Sequence, residues 1–506
     1  MKQFKAWLAT ATLSILCFMP SMAQTDEDST YVPMDKYADI IYFLPDYPDS
    51  ASLEFTDDLI QLQWGKTIRN TPRGKQANDE SLWEPDIMRT VMQQVLELDT
   101  ISEETTPALA KLILKAYHTG DNSTKAAKEV LMRKRPFIQV NDGLWAKYDT
   151  DFLRTNGSYP SGHTAFGWAT ALIFSEMWPE RQDTILRRGI QFGENRIITG
   201  AHYQSDVTAG YLCAAAAVAQ AHNNPELQKD IIAARAEYAQ LKGLPADYDP
   251  TAKATIPHGE NILNNPVDTA SYRYITDLTQ HWNAKSLRDT PRGQQAEIEA
   301  EYSAEMMYKV FGEAMGISLS EATTPAIYEL VKAVLDKSSE TADWLKPLRF
   351  RKRPFVQLGE PTTVPGDEEK ERGKSSFPSG HTHLGWSEAL IMAEVAPDCQ
   401  NEILRRGYEY GYNRLIAGYH WFTDIEATRQ LATSLVARLH ADSSFQELLK
   451  KAKEEYKKVA VGIETLPSQQ SEPAPAVIFT IDGRSVSQPP FNSIFIENGT
   501  KKIIAR

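Results

Sequence analysis

Apolar residues recur along most of the chain at the spacing of one face of an α-helix. The pattern is clearest in Ser102–Tyr117, Gln182–Asn195 and Val207–Ala221. Ala165–Met177 is apolar almost throughout, which is typical of a buried helix. Before residue 477 no segment alternates apolar and polar positions in the way of a half-buried strand. The pattern therefore predicts an all-α fold, built as bundles of mostly antiparallel helices.

The pattern changes near the C-terminus. Val477–Ile481 and Ser493–Glu497 have strand-like composition, and each is followed by a turn pair, Asp482-Gly483 and Asn498-Gly499. Such pairs favour tight hairpin turns, so residues 477–506 are predicted to form a short β tail. This tail resembles the end of the C-terminal sorting segments of secreted Bacteroidetes proteins. A small β appendage without that role is the alternative.

The N-terminus has the pattern of a secretory signal peptide. Lys2 and Lys5 precede the apolar run Ala6–Phe18, and Ser21-Met22-Ala23 resembles a cleavage site. Residues 1–23 are therefore predicted to direct export to the periplasm, the cell surface or the medium, with a retained anchor as the alternative. No later run reaches the roughly 20 apolar residues that a membrane span needs.

One domain occurs twice along the chain. Arg133-Lys134-Arg135-Pro136-Phe137 recurs as Arg351-Lys352-Arg353-Pro354-Phe355, and Pro160-Ser161-Gly162-His163-Thr164 recurs as Pro378-Ser379-Gly380-His381-Thr382. Both copies lie 218 residues further on, an interval too long for a solenoid repeat. The predicted boundaries are residues 31–243 for the first domain, 244–256 for a linker and 257–458 for the second domain. An internal pseudo-dimer of the two domains is one arrangement that this duplication allows.

Charge and cysteine content narrow the classes of function. The 506 residues carry 54 Lys and Arg against 67 Asp and Glu, which gives a formal net charge of −13. A chain this acidic is not expected to bind nucleic acid, and any cluster of cations stands against the general trend. Cys213 and Cys399 would remain after signal removal and are predicted to be buried free thiols. No Cys/His spacing indicates zinc.

Three groups of polar residues recur in both domains. The first is Lys followed seven positions later by Arg-Pro; the second is Ser-Gly-His before a helix; the third is Asn-Arg, then His, then Asp four positions on. On a helix, the Lys/Arg and His/Asp spacings would each place a pair on one face. The candidates are Lys128, Arg135, Ser161, Gly162, His163, Arg196, His202 and Asp206, with Lys346, Arg353, Ser379, Gly380, His381, Arg414, His420 and Asp424 in the copy.

Together these groups predict a site for a tetrahedral oxyanion. Guanidinium groups match phosphate oxygens, and the lysine, the serine hydroxyl and N–H groups at a helix N-terminus add donors. A neutral histidine oriented by the aspartate can attack phosphorus, while a second histidine protonates the leaving group. Because the cations neutralise the phosphate, no metal or other cofactor is predicted. Taken singly, each group has an ordinary structural explanation, but the ordered recurrence of all three favours function.

These motifs resemble the signature of the type 2 phosphatidic acid phosphatase superfamily, and the first domain most resembles the bacterial class A non-specific acid phosphatases. The resemblance lies in Thr71–Ala77, Arg135-Pro136-Phe137, Gly157–Thr164 and Gly200–Val207. It implies the helical fold shared by acid phosphatases and vanadium haloperoxidases, and hydrolysis of small phosphate esters. It also implies roles: His202 and His420 as nucleophiles that form a phosphohistidine, Asp206 and Asp424 orienting them, His163 and His381 as general acids, and the other candidates as phosphate ligands.

The sequence departs from that family at a few positions. Asn195 and Asn413 stand where the superfamily commonly has serine, and we expect little consequence because the position is not one of the charged groups. The second domain has Ser375-Ser376-Phe377 in place of Gly157-Ser158-Tyr159, after the highly charged loop Glu360–Lys374. We expect these differences to alter its substrate choice rather than its chemistry.

Other functions fit parts of the same pattern. Vanadium-dependent haloperoxidases share the residue set, but the class A segments favour a phosphatase. A membrane lipid or undecaprenyl-type pyrophosphate phosphatase is disfavoured by the lack of spanning segments. A phosphate-binding surface protein is disfavoured by the intact histidines and aspartate in each copy. For a phosphatase we expect a bell-shaped pH dependence with an acid optimum, because Asp206 and bound phosphate favour a protonated histidine.

Overall fold

A computed structural model describes residues 29–140, 143–147, 150–245, 247–464, 478–480, 485–486, 494–497 and 500–503. The predicted signal peptide and both predicted hairpin turns lie outside these residues. Up to residue 464 the described chain forms helices and connecting turns, which confirms the all-α prediction. Among the described residues, no helix is both long and apolar enough to cross a membrane.

The helices of the first half are α1 (Ile40–Phe43), α2 (Phe55–Ile68), α3 (Pro72–Asp79), α4 (Pro85–Leu96), α5 (Pro107–Asn122), α6 (Lys125–Leu131), α7 (Pro136–Gln139), α8 (Thr150–Thr155), α9 (Gly162–Met177), α10 (Gln182–Thr199), α11 (Gln204–Ala221) and α12 (Pro225–Leu241). Those of the second half are α13 (Gly259–Ile262), α14 (Tyr274–Lys285), α15 (Pro291–Ile298), α16 (Ala304–Met315), α17 (Pro325–Leu345), α18 (Pro354–Leu358), α19 (Glu368–Glu371), α20 (Gly380–Val395), α21 (Gln400–Ile416), α22 (Phe422–His440) and α23 (Ser443–Glu464).

Several helices begin or end away from their predicted bounds. The helix predicted over Ser102–Tyr117 begins instead at Pro107, because the preceding residues form a turn in which the Ser102 N–H donates to the Thr106 hydroxyl at 2.8 Å. Proline at the first helical position suits this start, since its missing N–H would have had no intrahelical partner. The apolar segment Ala165–Met177 belongs to a helix that begins earlier, at Gly162.

One apolar helix lies at the centre of each half. Helix α9 is buried along its whole length and packs against α5, α10 and α11. Its counterpart α20 packs against α17, α21 and α22. A helix that is apolar on every face is stable only when neighbours cover all of it, which explains why these two segments lack the usual polar stripe. The beginning of each central helix carries the Ser-Gly-His motif.

The two halves contact each other through two equivalent pairs of helices, and each pair has one helix from either half. Helix α9 packs on α22, and its counterpart α20 packs on α11. At this contact the imidazole rings of His222 and His440 stack with their centroids 3.6 Å apart and their planes 5° from parallel. The reciprocal pairing is the pattern of an isologous interface, in which the same surface is used twice.

The C-terminal strands agree with the predicted β tail. They are β1 (Ile478–Thr480), β2 (Ser485–Val486), β3 (Ile494–Glu497) and β4 (Thr500–Ile503), arranged antiparallel in the order β2-β1-β3-β4. Of the two cysteines among the described residues, Cys213 is buried as predicted and Cys399 is partly exposed, and neither forms a disulfide.

Candidate active site

The Ser-Gly-His motif starts helix α9 and sets its N-terminal N–H groups. Ser161 caps the helix: its Oγ accepts from the Thr164 N–H at 3.3 Å and from the Thr164 hydroxyl at 2.9 Å. Both bonds use lone pairs of Ser161, so its own hydroxyl proton is left for a further acceptor. A Cβ at Gly162 would lie 3.0 Å from Asp121 Oδ1, so glycine lets the chain approach closely here. Ser379 caps α20 in the same way.

His202 and Asp206 approach each other through a turn. The prediction that they share a helical face is wrong, because His202 precedes α11 and Tyr203 is its N-cap residue. The Asp206 carboxylate accepts from the Tyr203 N–H at 2.9 Å, and this capping bond folds the chain back. As a result His202 Nδ1 lies 3.5 Å from Asp206 Oδ2.

A serine that was not among the candidates lies between each His and Asp. The Ser158 hydroxyl donates to Asp206 Oδ2 at 2.5 Å and lies 3.4 Å from His202 Nδ1. In the second half the Ser376 hydroxyl donates to Asp424 at 2.6 Å. The recurrence of this serine two positions before the motif proline was a signal in the sequence that our reasoning did not use.

Hydrogen bonds fix the tautomer of the two histidines. Arg135 Nη1 lies 2.9 Å from His202 Nε2, and Arg353 Nη1 lies 3.0 Å from His420 Nε2. Because arginine can only donate, each Nε2 must accept, and the ring proton must then be on Nδ1. In the second half that proton is donated to the Ser376 carbonyl at 2.6 Å. Each Nε2 is therefore unprotonated, and its lone pair accepts the hydrogen bond from the arginine.

A buried arginine forms ion pairs that hold the aspartate of each site in place. Arg133 bridges Asp206 and Asp58, with both N–O distances at 2.6 Å. The copy is the same: Arg351 bridges Asp424 and Asp277, with both distances at 2.5 Å. These arginines begin the repeated Arg-Lys-Arg-Pro-Phe motif, in which only the second arginine was predicted to have a role. The partner aspartates had no motif around them to mark them.

Lys128 and Arg135 reach the same pocket from different elements. The prediction that they share one helical face is wrong: α6 ends at Leu131, Met132 has a φ of 43°, and Arg135 is in extended conformation before Pro136. Lys128 Nζ donates to the Gly157 carbonyl at 2.9 Å. In the second half Lys346 follows the last residue of α17, and Arg353 again precedes a short helix.

Five of the eight first-half candidates line one small pocket. Its lining residues are Trp83, Lys128, Arg135, Leu153, Gly162, His163, Ala201 and His202. His163 donates from Nε2 to the Ser81 carbonyl at 3.1 Å, and its ring packs against Trp83 and Phe166. Arg196 is fully buried beside it and donates to the Glu80 carbonyl at 3.0 Å. The structure thus brings all the predicted first-half charged groups and histidines to one place.

The asparagine that we expected to matter little occupies a buried junction. Asn195 Oδ1 accepts from Arg73 at 2.5 Å, and its amide donates to Glu80 at 2.7 Å. In the copy, Asn413 joins Arg292 and Glu299 at 2.5 and 2.8 Å. This junction ties Arg73 of α3, and Arg292 of α15 in the copy, to the helix that carries the buried arginine.

The second site keeps the same residues, but its lysine has a different partner. His381 donates to the Ala300 carbonyl at 2.9 Å. Lys346 is partly exposed and its Nζ lies 2.8 Å from Asp343. Arg414 is buried, and its Nε and Nη1 have no hydrogen-bond partner within the described chain. Buried guanidinium donors without partners are the kind of group that an oxyanion would satisfy.

Burial and the neighbouring cations keep the site histidines neutral. Burial, aided by Arg135, lowers the pKa of His202 to about 3. Burial and then Arg196 hold the pKa of His163 well below its usual value. Burial, again aided by Arg135, lowers the pKa of Lys128 to about 7. These effects outweigh that of Asp206, which raises the histidine pKa as we expected but by less. A bound dianion would be needed to raise the histidine pKa values enough for protonation.

The arrangement matches known proteins in sequence. The family model for the PAP2 superfamily matches residues 108–226 and 323–446. The chain is 40% identical to a non-specific acid phosphatase of Providencia stuartii over 219 residues, which are 43% of this chain and 88% of that protein. It is 34% identical to a non-specific acid phosphatase of Salmonella typhimurium (37% and 75% covered) and 33% identical to an acid phosphatase of Zymomonas mobilis (36% and 69% covered).

Each relative thus matches about the length of one half, and the family model matches both halves. Together with the repeated site, this shows that the chain belongs to the PAP2 superfamily, as an acid phosphatase whose domain is present twice in tandem.

Proposed function

We propose that each half hydrolyses phosphate monoesters through a phosphohistidine, with no metal ion. The observation that carries this proposal is the tautomer of His202 and His420. In each, Nδ1 holds the proton, and the lone pair of the unprotonated Nε2 accepts from a guanidinium group. Binding of phosphate oxygens by that guanidinium group would release the lone pair for attack. An imidazole held neutral in this way is a nucleophile rather than a general acid.

In the first step His202 Nε2 attacks phosphorus, forming a P–N bond as the P–O bond to the leaving group breaks. His163 gives a proton to the departing alkoxide. Lys128, Arg135, Arg196 and the hydroxyl of Ser161 bind the non-bridging oxygens and neutralise their charge, which is the main requirement of phosphoryl transfer. The Asp206–Arg133 pair stabilises the positive charge that develops on the attacking ring.

In the second step water attacks phosphorus and the P–N bond breaks. His163, now neutral, accepts the proton of the water, and phosphate leaves with His202 restored. The same residue thus acts as acid and then as base, as reversibility of the two steps requires. In the second half His420, His381 and the Arg351–Asp424 pair would act in the same roles.

We also propose the wider setting of this activity. The signal-like N-terminus supports action after export, in the periplasm, at the cell surface or in the medium. Reciprocal packing of α9 on α22 and α20 on α11 supports an internal pseudo-dimer of domains bounded near residues 31–243 and 257–458. The substrates would be small phosphate esters.

Metal dependence and halide oxidation test the chemistry. Hydrolysis of a nitrophenyl phosphate should continue in EDTA, and vanadate should inhibit it by competing with substrate. Loss of activity in EDTA that Mg²⁺ or Zn²⁺ restores would contradict a metal-free mechanism. Halide oxidation by the vanadate-loaded protein, without phosphate release by the vanadate-free protein, would indicate a haloperoxidase instead.

A further inference from the structure

The two phosphate-binding arginines share most of their contacts. Nη1 of Arg135 and of Arg353 each contacts a histidine Nε2, at 2.9 and 3.0 Å, and each donates to the carbonyl of the residue before that histidine at 3.1 Å. The two guanidinium groups are therefore held in equivalent positions, and their remaining nitrogens can be compared directly.

They differ at Nη2. In the first half Arg135 Nη2 donates to neutral groups, the Asn156 side chain at 3.1 Å and the Gly157 carbonyl at 3.3 Å. In the second half Arg353 Nη2 donates to the carboxylate of Glu371 at 2.8 Å. The other oxygen of Glu371 accepts from Lys374 at 2.7 Å, so the carboxylate is held in place from both sides.

Glu371 takes the position of an apolar pocket residue. The residue 218 positions earlier is Leu153, which is buried and lines the first pocket. Glu371 ends the short helix α19, inside the charged segment that distinguishes the second half. Burial opposes its ionisation, but Lys374 and Arg353 lower the pKa of this carboxyl, so it is charged at neutral pH.

We infer that Glu371 is a specificity-determining residue of the second site, selecting against phosphate dianions in favour of singly charged phosphoryl groups such as phosphodiesters. This inference rests on the proposed function. A carboxylate oxygen uses the N–H that a phosphoryl oxygen would use, and its charge repels a dianion more than a monoanion.

The test uses full-length protein with one site silenced. In a His202→Ala background, kcat/KM is measured at pH 8 for nitrophenyl phosphate and for methyl nitrophenyl phosphate. Glu371→Leu should raise the monoester value by about 10- to 100-fold and the diester value by much less, as expected for removing a competing charged hydrogen bond. Glu371→Gln keeps the shape of the side chain and removes its charge, so it should also raise kcat/KM more for the monoester than for the diester. Glu369→Leu on the same helix is the matched control, since that residue is exposed and pairs with Arg372.

The reciprocal substitution in the first site and a measurement of phosphate binding distinguish failure of this inference from failure of the proposed function. In a His420→Ala background, Leu153→Glu should lower the monoester-to-diester ratio of the first site. Inorganic phosphate binding, followed by calorimetry, should tighten on Glu371→Gln without need of turnover. If the first site binds and hydrolyses phosphate monoesters but neither Glu371 variant changes the ratio or the binding, this inference is wrong while the proposed function stands. If neither site binds phosphate, the proposed function itself fails.

Discussion

At the scale of single residues, the chemistry depends on what surrounds Asp206. Its carboxylate accepts from Arg133, from the Ser158 hydroxyl and from the Tyr203 N–H, at 2.6, 2.5 and 2.9 Å. Burial alone would raise the pKa of Asp206, but these donors, mainly Arg133, hold it below its usual value. A permanently charged carboxylate beside His202 can then stabilise the ring when it becomes positive.

We predict that Ser158→Ala slows the first site without weakening substrate binding. The hydroxyl orients Asp206 and lies beside His202 Nδ1 but does not reach the pocket, so kcat should fall about 10-fold, the cost of one hydrogen bond to a charged group, with KM nearly unchanged. Steady-state kinetics in a His420→Ala background measures this. Ser175→Ala removes another buried hydroxyl, bonded to the Leu172 carbonyl, and should change neither value. A rise in KM alone would assign Ser158 to substrate binding instead.

We predict that phosphate binding takes up protons at pH 8. With its pKa lowered to about 7, Lys128 is mostly neutral at this pH in the unliganded protein, and the site histidines are neutral too. A bound dianion raises these pKa values, so protons must enter from solvent. Calorimetry in two buffers of different ionisation enthalpy gives the number taken up, and Lys128→Met should reduce it. Equal enthalpies in both buffers would refute the prediction.

At the scale of elements, the connection between α3 and α4 holds two site residues at once. The carbonyls of Glu80 and Ser81 accept from Arg196 and His163, while the Glu80 side chain bonds Asn195 and forms an ion pair with Arg188. This short segment therefore positions a phosphate ligand and a proton donor through its backbone. Its own position depends on the buried Asn195 junction.

We predict that Asn195→Ala lowers both stability and phosphate affinity. Removing the amide takes one buried hydrogen-bond partner from Arg73 and one from Glu80, which should cost about 1–3 kcal/mol of unfolding free energy. Denaturant unfolding and phosphate titration measure the two effects. Lys75→Ala, in the exposed Lys75–Asp79 pair, is the control and should change stability by about 0.5 kcal/mol or less. An unchanged affinity would show that the junction does not position the site.

The elements also show what the sequence could predict. Apolar periodicity predicted the all-α fold because it reflects local structure, and the duplication was visible as identical segments 218 residues apart. Helical spacing could not predict how Lys128 lies relative to Arg135, because the helix ends before Met132. It could not predict how His202 lies relative to Asp206 either, because the next helix begins only after Tyr203. Asp58 was missed because its tie to Arg133 joins segments 75 residues apart that no spacing rule connects.

At the scale of the whole molecule, the contact between the halves contains a buried charge cluster. His222 and His440 stack, His222 lies 3.1 Å from Glu176, and His440 lies 2.7 Å from Glu394, which also faces Lys453 at 3.4 Å. Burial disfavours the charged form of His222, but Glu176 raises the pKa of this histidine above its usual value. Stability from this pair is therefore present below about pH 6.5 and is lost as pH rises through the folded-state pKa.

We predict that Glu176→Gln destabilises the protein more at pH 5.5 than at pH 8. At the lower pH the variant must bury a charged histidine without its counter-ion, at a cost of about 1–2 kcal/mol, whereas above the folded-state pKa of His222 the ring is neutral in both proteins. Urea unfolding at both pH values measures the difference. The control Glu103→Gln removes an exposed partner of Arg89. A loss independent of pH would mean that the pair acts through packing alone.

Trapping the covalent intermediate tests the central claim, that both halves work through a phosphohistidine, most directly. Full-length protein is mixed with radiolabelled phosphate ester and denatured within milliseconds at alkaline pH, where a P–N bond survives, and protein-bound label is counted. We predict label on the wild type, on His202→Ala and on His420→Ala, located by peptide mapping to the histidine that remains in each single variant, and none on the double variant. Label absent from the wild type, or retained by the double variant, would contradict the account.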